Sequence, residues 1–112
     1  LSGASLVLPD RVLGPGTLAV EGGLIADIRS GVSTATPSLD GHLILPGFVD
    51  VHVHGVDGFD TLDPGDPITR IAARLPRYGV TAFCPTTVAC APRTLRHVLD
   101  QVRGAVVPAP RR

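Results

Sequence analysis

Three ionisable side chains alternate along one short segment: Asp50, His52 and His54, with Val49, Val51 and Val53 between them. In a strand, alternate residues share a face, so the carboxylate and both imidazoles point one way and the valines the other. His52 and His54 then stand about 6.6 Å apart along the strand at ~3.3 Å per residue. Their rings can still converge on one ion held at roughly 2.0–2.1 Å from each nitrogen. The chemistry this pattern supports is metal ligation. An amphipathic surface strand with two solvated histidines would show the same alternation, so the surrounding elements have to separate the two readings.

From Pro46 onward those elements read β-α-β-α. Phe48 to His54 is the first strand. Asp66 is placed as an N-cap with Pro67 at the first helical position. Ile68, Ile71, Ala72 and Leu75 recur at helical spacing as one buried stripe, with Arg70, Arg74 and Arg77 on the other side. Pro76 ends or kinks this helix, and Gly79 fits a C-terminal stop. Val80 to Cys84 forms a second strand. Pro92 opens a second helix with Leu95, Val98, Leu99 and Val102 facing inward. Alternating strands and helices predict parallel pairing and coverage of both strand faces. A polar strand face in such a setting is a site or a cost. The pair also sits at the C-terminal end of its strand, where α/β barrels place catalytic groups. The metal reading is therefore preferred.

Residues 1–45 have a different texture. Ser5 to Leu8, Thr17 to Val20 and Leu24 to Ile28 are short apolar runs broken by Pro9-Asp10 and Glu21-Gly22-Gly23. They predict antiparallel strands with tight turns, a small sandwich-like β-domain. The expected fold class is thus α/β: the N-terminal part of a TIM (β/α)8 barrel, preceded by a small antiparallel β-domain. The domains are placed at 1–45 and 46–112, the latter holding the first two βα units. A complete barrel needs about 250 residues, so the barrel is expected to be incomplete in this chain.

Composition narrows the function classes. With 112 residues, 44% of them hydrophobic and 18% charged, the chain reads as globular. Its formal net charge is zero, which leaves no electrostatic footprint for nucleic acid or an anionic membrane. All ten basic residues are arginine, and they are scattered. Cys84 and Cys90 fit neither a zinc-type pair nor a disulfide framework, so a reduced, cytoplasmic setting is expected. No apolar run approaches the roughly 18 residues of a membrane span. The chain begins at Leu1 and has no methionine, which suggests a processed or truncated piece. Val106 to Arg112 looks like an interrupted loop.

Pro46-Gly47-Phe48-Val49-Asp50-Val51-His52-Val53-His54-Gly55 resembles the first-strand motif of the amidohydrolase superfamily. Val20-Glu21-Gly22-Gly23-Leu24-Ile25-Ala26-Asp27-Ile28 resembles the small β-domain that precedes the barrel there. The loop Gly55-Val56-Asp57-Gly58-Phe59-Asp60 and the block Tyr78-Gly79-Val80-Thr81-Ala82-Phe83-Cys84-Pro85-Thr86-Thr87 are similar to the N-acetylglucosamine-6-phosphate deacetylases. The resemblance implies an amide hydrolase of amino-sugar catabolism that gives acetate and glucosamine 6-phosphate. It further implies a divalent metal, zinc, as one or two ions that activate water and polarise the acetamide carbonyl. His52 and His54 would be ligands. Asp50 would fix an imidazole tautomer, or serve as a buried structural carboxylate. Asp57, with Asp60, would line the substrate pocket or be solvated loop. The implied partners are an amino-sugar phosphate as substrate and a second copy in a dimer, without nucleic acid or membrane. The catalytic aspartate and remaining ligands are expected on later strands, outside this chain.

Other candidates carry less. His97 shares a helix face with Arg93, Arg96 and Asp100 and reads as solvated. His42 lies in a turn, Cys84 reads as a small core residue, and Gly14-Pro15-Gly16 reads as a turn. Two further readings remain: an amidohydrolase acting on a cyclic amide or an N-acyl amino acid, and a non-catalytic α/β module.

Overall fold

A computed structural model describes residues 1–106 of the chain. The chain divides into two compact units, Leu1–Pro46 and a second beginning at Gly47.

The first unit is a four-stranded sheet. Its strands are β1 (Ser2–Val7), β2 (Val12–Glu21), β3 (Leu24–Ser30) and β4 (Leu43–Ile44), in spatial order β3-β2-β1-β4. β1 and β3 each pair antiparallel with β2, whereas β4 adds to β1 in parallel. The sheet is therefore mixed, which corrects the expectation of a purely antiparallel domain. The parallel edge arises because the chain from Gly31 to Gly41 passes back along β1 instead of turning directly into a hairpin. Leu39 N–H donates to Ser2 O at 2.8 Å and Ser5 N–H to His42 O at 3.0 Å, stitching that return to β1.

Gly14-Pro15-Gly16 lies inside β2, with a cis Gly14-Pro15 bond, and does not end a strand. The glycines are there for close approach. A Cβ on Gly16 would fall 2.7 Å from the Leu6 side chain, and one on Gly14 2.6 Å from Ser5 Oγ. Across the sheet, Ser2 and Thr17 are buried but satisfied. The Thr17 hydroxyl donates to Gly31 O at 2.8 Å, so in the 3.1 Å contact with Ser2 Oγ the serine must be the donor. On one face Leu6, Leu18, Ile25, Ile28 and Ile44 gather around an apolar groove of about 230 Å³. Ile25 and Ile28 share that groove despite opposite parity, because the register slips between Ala19 and Val20.

The second unit contains β5 (Phe48–Val53), the two short strands β6 (Gly55–Val56) and β7 (Phe59–Asp60), α1 (Pro67–Ala72), a 3₁₀ turn (Leu75–Tyr78), β8 (Val80–Pro85) and α2 (Pro92–Ala105). β5 and β8 pair in parallel as expected of a β-α-β crossover, and β6 and β7 form a hairpin. No barrel closes among the described residues. Asp66 caps α1 by accepting from Thr69 N–H at 3.3 Å, with Pro67 in the first turn. The helix stops at Ala72, four residues before Pro76, which can neither donate to that carbonyl nor clear it. Gly79 then takes φ of 78°, and its N–H donates to Pro76 O at 3.0 Å to close the 3₁₀ turn.

The core of this unit is Val53, Ile71 and Leu75, with Val56, Phe59, Val80 and Phe83 packed around it. Ile68 is also buried, while Ala72 is exposed. On α2 only Val98 of the expected inward stripe is buried; Leu95 and Leu99 are 41% and 48% exposed. Cys84 is exposed, not a core residue. β8 pairs only with β5 among the described residues. Val49 and Val51 are exposed, so β5 lacks the coverage of both faces that its composition anticipates. The expected loop from residue 107 onward lies outside the described residues.

Candidate metal centre

β5 carries both histidines toward one point. His52 is the fifth residue of the strand, and His54 follows its last residue. Their Nε2 atoms are 3.0 Å apart, with ring centroids at 4.9 Å and planes inclined by 74°. Two nitrogens each bound to one tetrahedral zinc stand about 3.3 Å apart, from the Zn–N length and tetrahedral angle. The pair is within a few tenths of an ångström of that spacing without further movement. The same 3.0 Å serves an N–H···N hydrogen bond, which requires one ring protonated at Nε2 and the other bare there. Among the described residues, no group of three or more His, Cys, Asp or Glu side chains gathers into a metal-holding cluster. Two ligands fit; a third is supplied by none of these residues.

The strand end is held by threonines. Thr86 N–H donates to Val53 O at 2.8 Å, and Thr61 N–H donates to His54 O at 2.8 Å. The Thr61 hydroxyl, 1% exposed, donates to Thr86 O at 2.9 Å. One buried residue thus ties the ends of β5 and β8 together beside the imidazoles. Gly55 is required next to them. A Cβ there would lie 1.9 Å from Phe59 O, so close backbone approach within the β6–β7 hairpin, not a positive φ, excludes a side chain.

Asp50 is half-buried, and its Oδ1 accepts from the backbone N–H of His52 at 3.1 Å. It acts on the strand that carries the pair. Asp57 occupies the hairpin turn with φ of 51°, followed by Gly58 at 80°. Its carboxylate accepts from the Tyr78 hydroxyl at 2.6 Å and lies 3.7 Å from the Arg77 guanidinium. That short phenol–carboxylate bond and the aspartate charge raise the Tyr78 pKa above the ordinary tyrosine value. Tyr78 itself lines an open cleft of about 320 Å³ together with Asp50, His52 and His54. Asp57 is not among the residues lining it.

The other candidates fall elsewhere. His97 is exposed and shares a 2.7 Å contact with Gln101 on α2, whose amide also donates to Gly65 O at 3.1 Å. The His42 ring meets Asp40 O at 3.1 Å within its turn. Asp60 and Asp63 accept from backbone N–H groups of Leu62 and Asp60, so both act in the loop that follows the hairpin.

No protein-family model matches the chain. Among curated proteins it is 35% identical, over 96 residues, to the N-acetylglucosamine-6-phosphate deacetylase of Rattus norvegicus, and 34% identical over the same length to that of Homo sapiens. The N-acetylgalactosamine-6-phosphate deacetylase of Escherichia coli O157:H7 is 31% identical over 86 residues. The chain is a homologue of the N-acetylglucosamine-6-phosphate deacetylase family. The match covers 82% of the chain but only 22% of the length of the rat and human proteins. Among the described residues no helix is long and apolar enough to cross a membrane.

Sequence reasoning missed Tyr78 and Thr61. In the sequence Tyr78 stands only as the first residue of the block Tyr78 to Thr87, with no role of its own. Its partner lies 21 residues away in a turn, a pairing that no periodicity encodes. Thr61 follows Phe59-Asp60 in the sequence with nothing to mark it apart from any other loop threonine. Arg70 and Arg74 were placed on a solvated face, yet Arg74 stacks over Phe59 at 4.1 Å and Arg70 at 5.6 Å, covering the hairpin's core residue.

Proposed function

We propose that this chain supplies the first part of a metal-dependent hexosamine-6-phosphate deacetylase, the part that contributes two metal-ligating histidines. The observation that carries the reading is the 3.0 Å convergence of His52 and His54 Nε2 at the end of a parallel strand, in a chain homologous to such deacetylases. His52 and His54 would hold a divalent ion, zinc, whose contribution is to acidify water and polarise an acetamide carbonyl. Both rings would present bare Nε2 to it, so ligation would displace the proton that the pair now shares. Asp50 would keep the His52 backbone in register while this happens. The substrate would be an N-acetylated amino-sugar phosphate, hydrolysed to acetate and the free amino sugar. Relatives named for the glucosamine and for the galactosamine compound both match. Nothing in the cleft chooses between those epimers.

A catalytic zinc takes three protein ligands, and these residues supply two. The purified 112-residue chain is expected to bind Zn²⁺ weakly and to release no acetate from N-acetylglucosamine 6-phosphate. Turnover by that chain would refute the assignment of the missing groups to other segments. In a longer polypeptide containing these residues, His52→Ala and His54→Ala are each expected to lower bound metal by elemental analysis, and with it acetate release. Unchanged metal content would refute the ligand assignment. Cleavage of a cyclic amide or an N-acyl amino acid, with no action on either sugar phosphate, would move the protein to a different amidohydrolase activity.

A further inference from the structure

His54 is followed at once by the β6–β7 hairpin, so where the hairpin lies decides where His54 lies. A hairpin of two-residue strands is marginal by itself and needs anchors. Its base is held by Thr61, and its flank by Phe59 against the core. Its tip is held by one hydrogen bond among the described residues, the 2.6 Å bond from the Tyr78 hydroxyl to Asp57, a length typical of a charge-assisted O–H···O⁻ bond, with the exposed Arg77 guanidinium at 3.7 Å beside it. Tyr78 closes the 3₁₀ turn, and the next residue, Gly79, accepts from Phe48 N–H at 2.8 Å. Phe48 begins the strand that carries both imidazoles. The tip is therefore tied back to the base of β5, through Tyr78 at the wall of the open cleft.

We propose that the Asp57–Tyr78 bond is a latch that positions His54 against His52. Tyr78 and Asp57 are positioning residues: neither meets the ion, and both act through the hairpin. The turn explains why an aspartate can serve. With both central residues at positive φ the hairpin is of the primed kind, and aspartate and asparagine tolerate that region better than other side chains. Arg77, 3.7 Å from the second carboxylate oxygen, steadies the acceptor from the solvent side. That the held pair takes a metal rests on the function proposed above; that the latch holds the pair does not.

The variants follow from the geometry. Tyr78→Phe removes only the donor. Asp57→Gly removes the acceptor but keeps a residue at ease at positive φ. Asp57→Asn keeps both an acceptor oxygen and the turn. The readouts, on the 112-residue chain, are imidazole ring-to-ring NMR contacts between His52 and His54 and calorimetric titration with Zn²⁺. Tyr78→Phe and Asp57→Gly are expected to lose the ring contact and to weaken Zn²⁺ binding about threefold to tenfold, the worth of one net hydrogen bond. The double variant should be no worse than either single one, and Asp57→Asn should restore the contact. Ring contacts unchanged in both single variants would overturn the latch, as would an Asp57→Asn that behaves like Asp57→Gly. If the wild-type chain takes no Zn²⁺ yet its ring contact is lost in both single variants, the latch stands and the metal reading falls.

Discussion

Replacing Ile71 by alanine is expected to destabilise the second unit by about 2–5 kcal/mol. Ile71 is fully buried and packs with Val53 and Leu75 directly beneath the end of the histidine-bearing strand. The change removes three carbons, roughly 2.4 kcal/mol at ~0.8 per methylene, and a cavity term adds to that because the neighbours relax only in part. Ile71→Val removes one carbon and should cost about 0.5–1.5 kcal/mol. Val51 lies two residues from Val53 on the same strand but is 72% exposed, so Val51→Ala should stay within about 0.5 kcal/mol. A unit of this size holds on the order of 3–10 kcal/mol in total, so Ile71→Ala takes a large share of it. The assay is urea denaturation followed by tyrosine fluorescence. The chain has one tyrosine and no tryptophan, and that tyrosine, Tyr78, lies in the second unit, so the signal reports this unit alone. If Ile71→Ala and Val51→Ala shift the midpoint equally, the core assignment is wrong and with it the account of what holds β5 in place.

Thr61→Val should cost about 0.5–1.5 kcal/mol in the same titration, because it takes the donor from the half-buried Thr86 carbonyl; Thr61→Ser keeps the hydroxyl and should lose less, and equal losses would count against the tie. Gly55→Ala should open the β6–β7 hairpin, since its Cβ would sit 1.9 Å from Phe59 O; hydrogen exchange at Val56 and Phe59 should speed up, and retained protection would contradict the close approach. Tyr78 should form its phenolate only above the ordinary value of 10.0, because Asp57 holds its proton and repels the phenolate. The fold favours the protonated phenol, so its contribution to stability is complete below about pH 10 and is lost as pH rises through the higher folded value. Ultraviolet titration should show the midpoint falling back in Asp57→Asn, and a wild-type midpoint at or below 10.0 would exclude the bond.

What could be read from the sequence was what a few adjacent residues decide among themselves. Asp66-Pro67 starts a helix because a carboxylate can accept from Thr69 N–H and a proline has no N–H to waste, and both facts are local. Pro76 and Gly79 end it for equally local reasons. The alternation from Val49 to His54 gave β5 its strand, and the two imidazoles do meet on it. Features that depend on partners far along the chain stayed hidden. The parallel pairing of β4 with β1 joins residues nearly forty apart, and the slip at Ala19 lets Ile25 and Ile28 share a face that simple alternation assigns to opposite sides. Leu95 and Leu99 carry an inward pattern and stand half-exposed, because a helical stripe records that a surface wants covering and not what covers it. Asp57 shows the same limit at the site. Its residue type and its place after His54 left it open between a group lining the substrate pocket and a solvated loop carboxylate, and neither showed its bond to Tyr78. A carboxylate near a metal pair can serve the chemistry by touching the substrate or by holding the scaffold still, and only the identity of its partner separates the two.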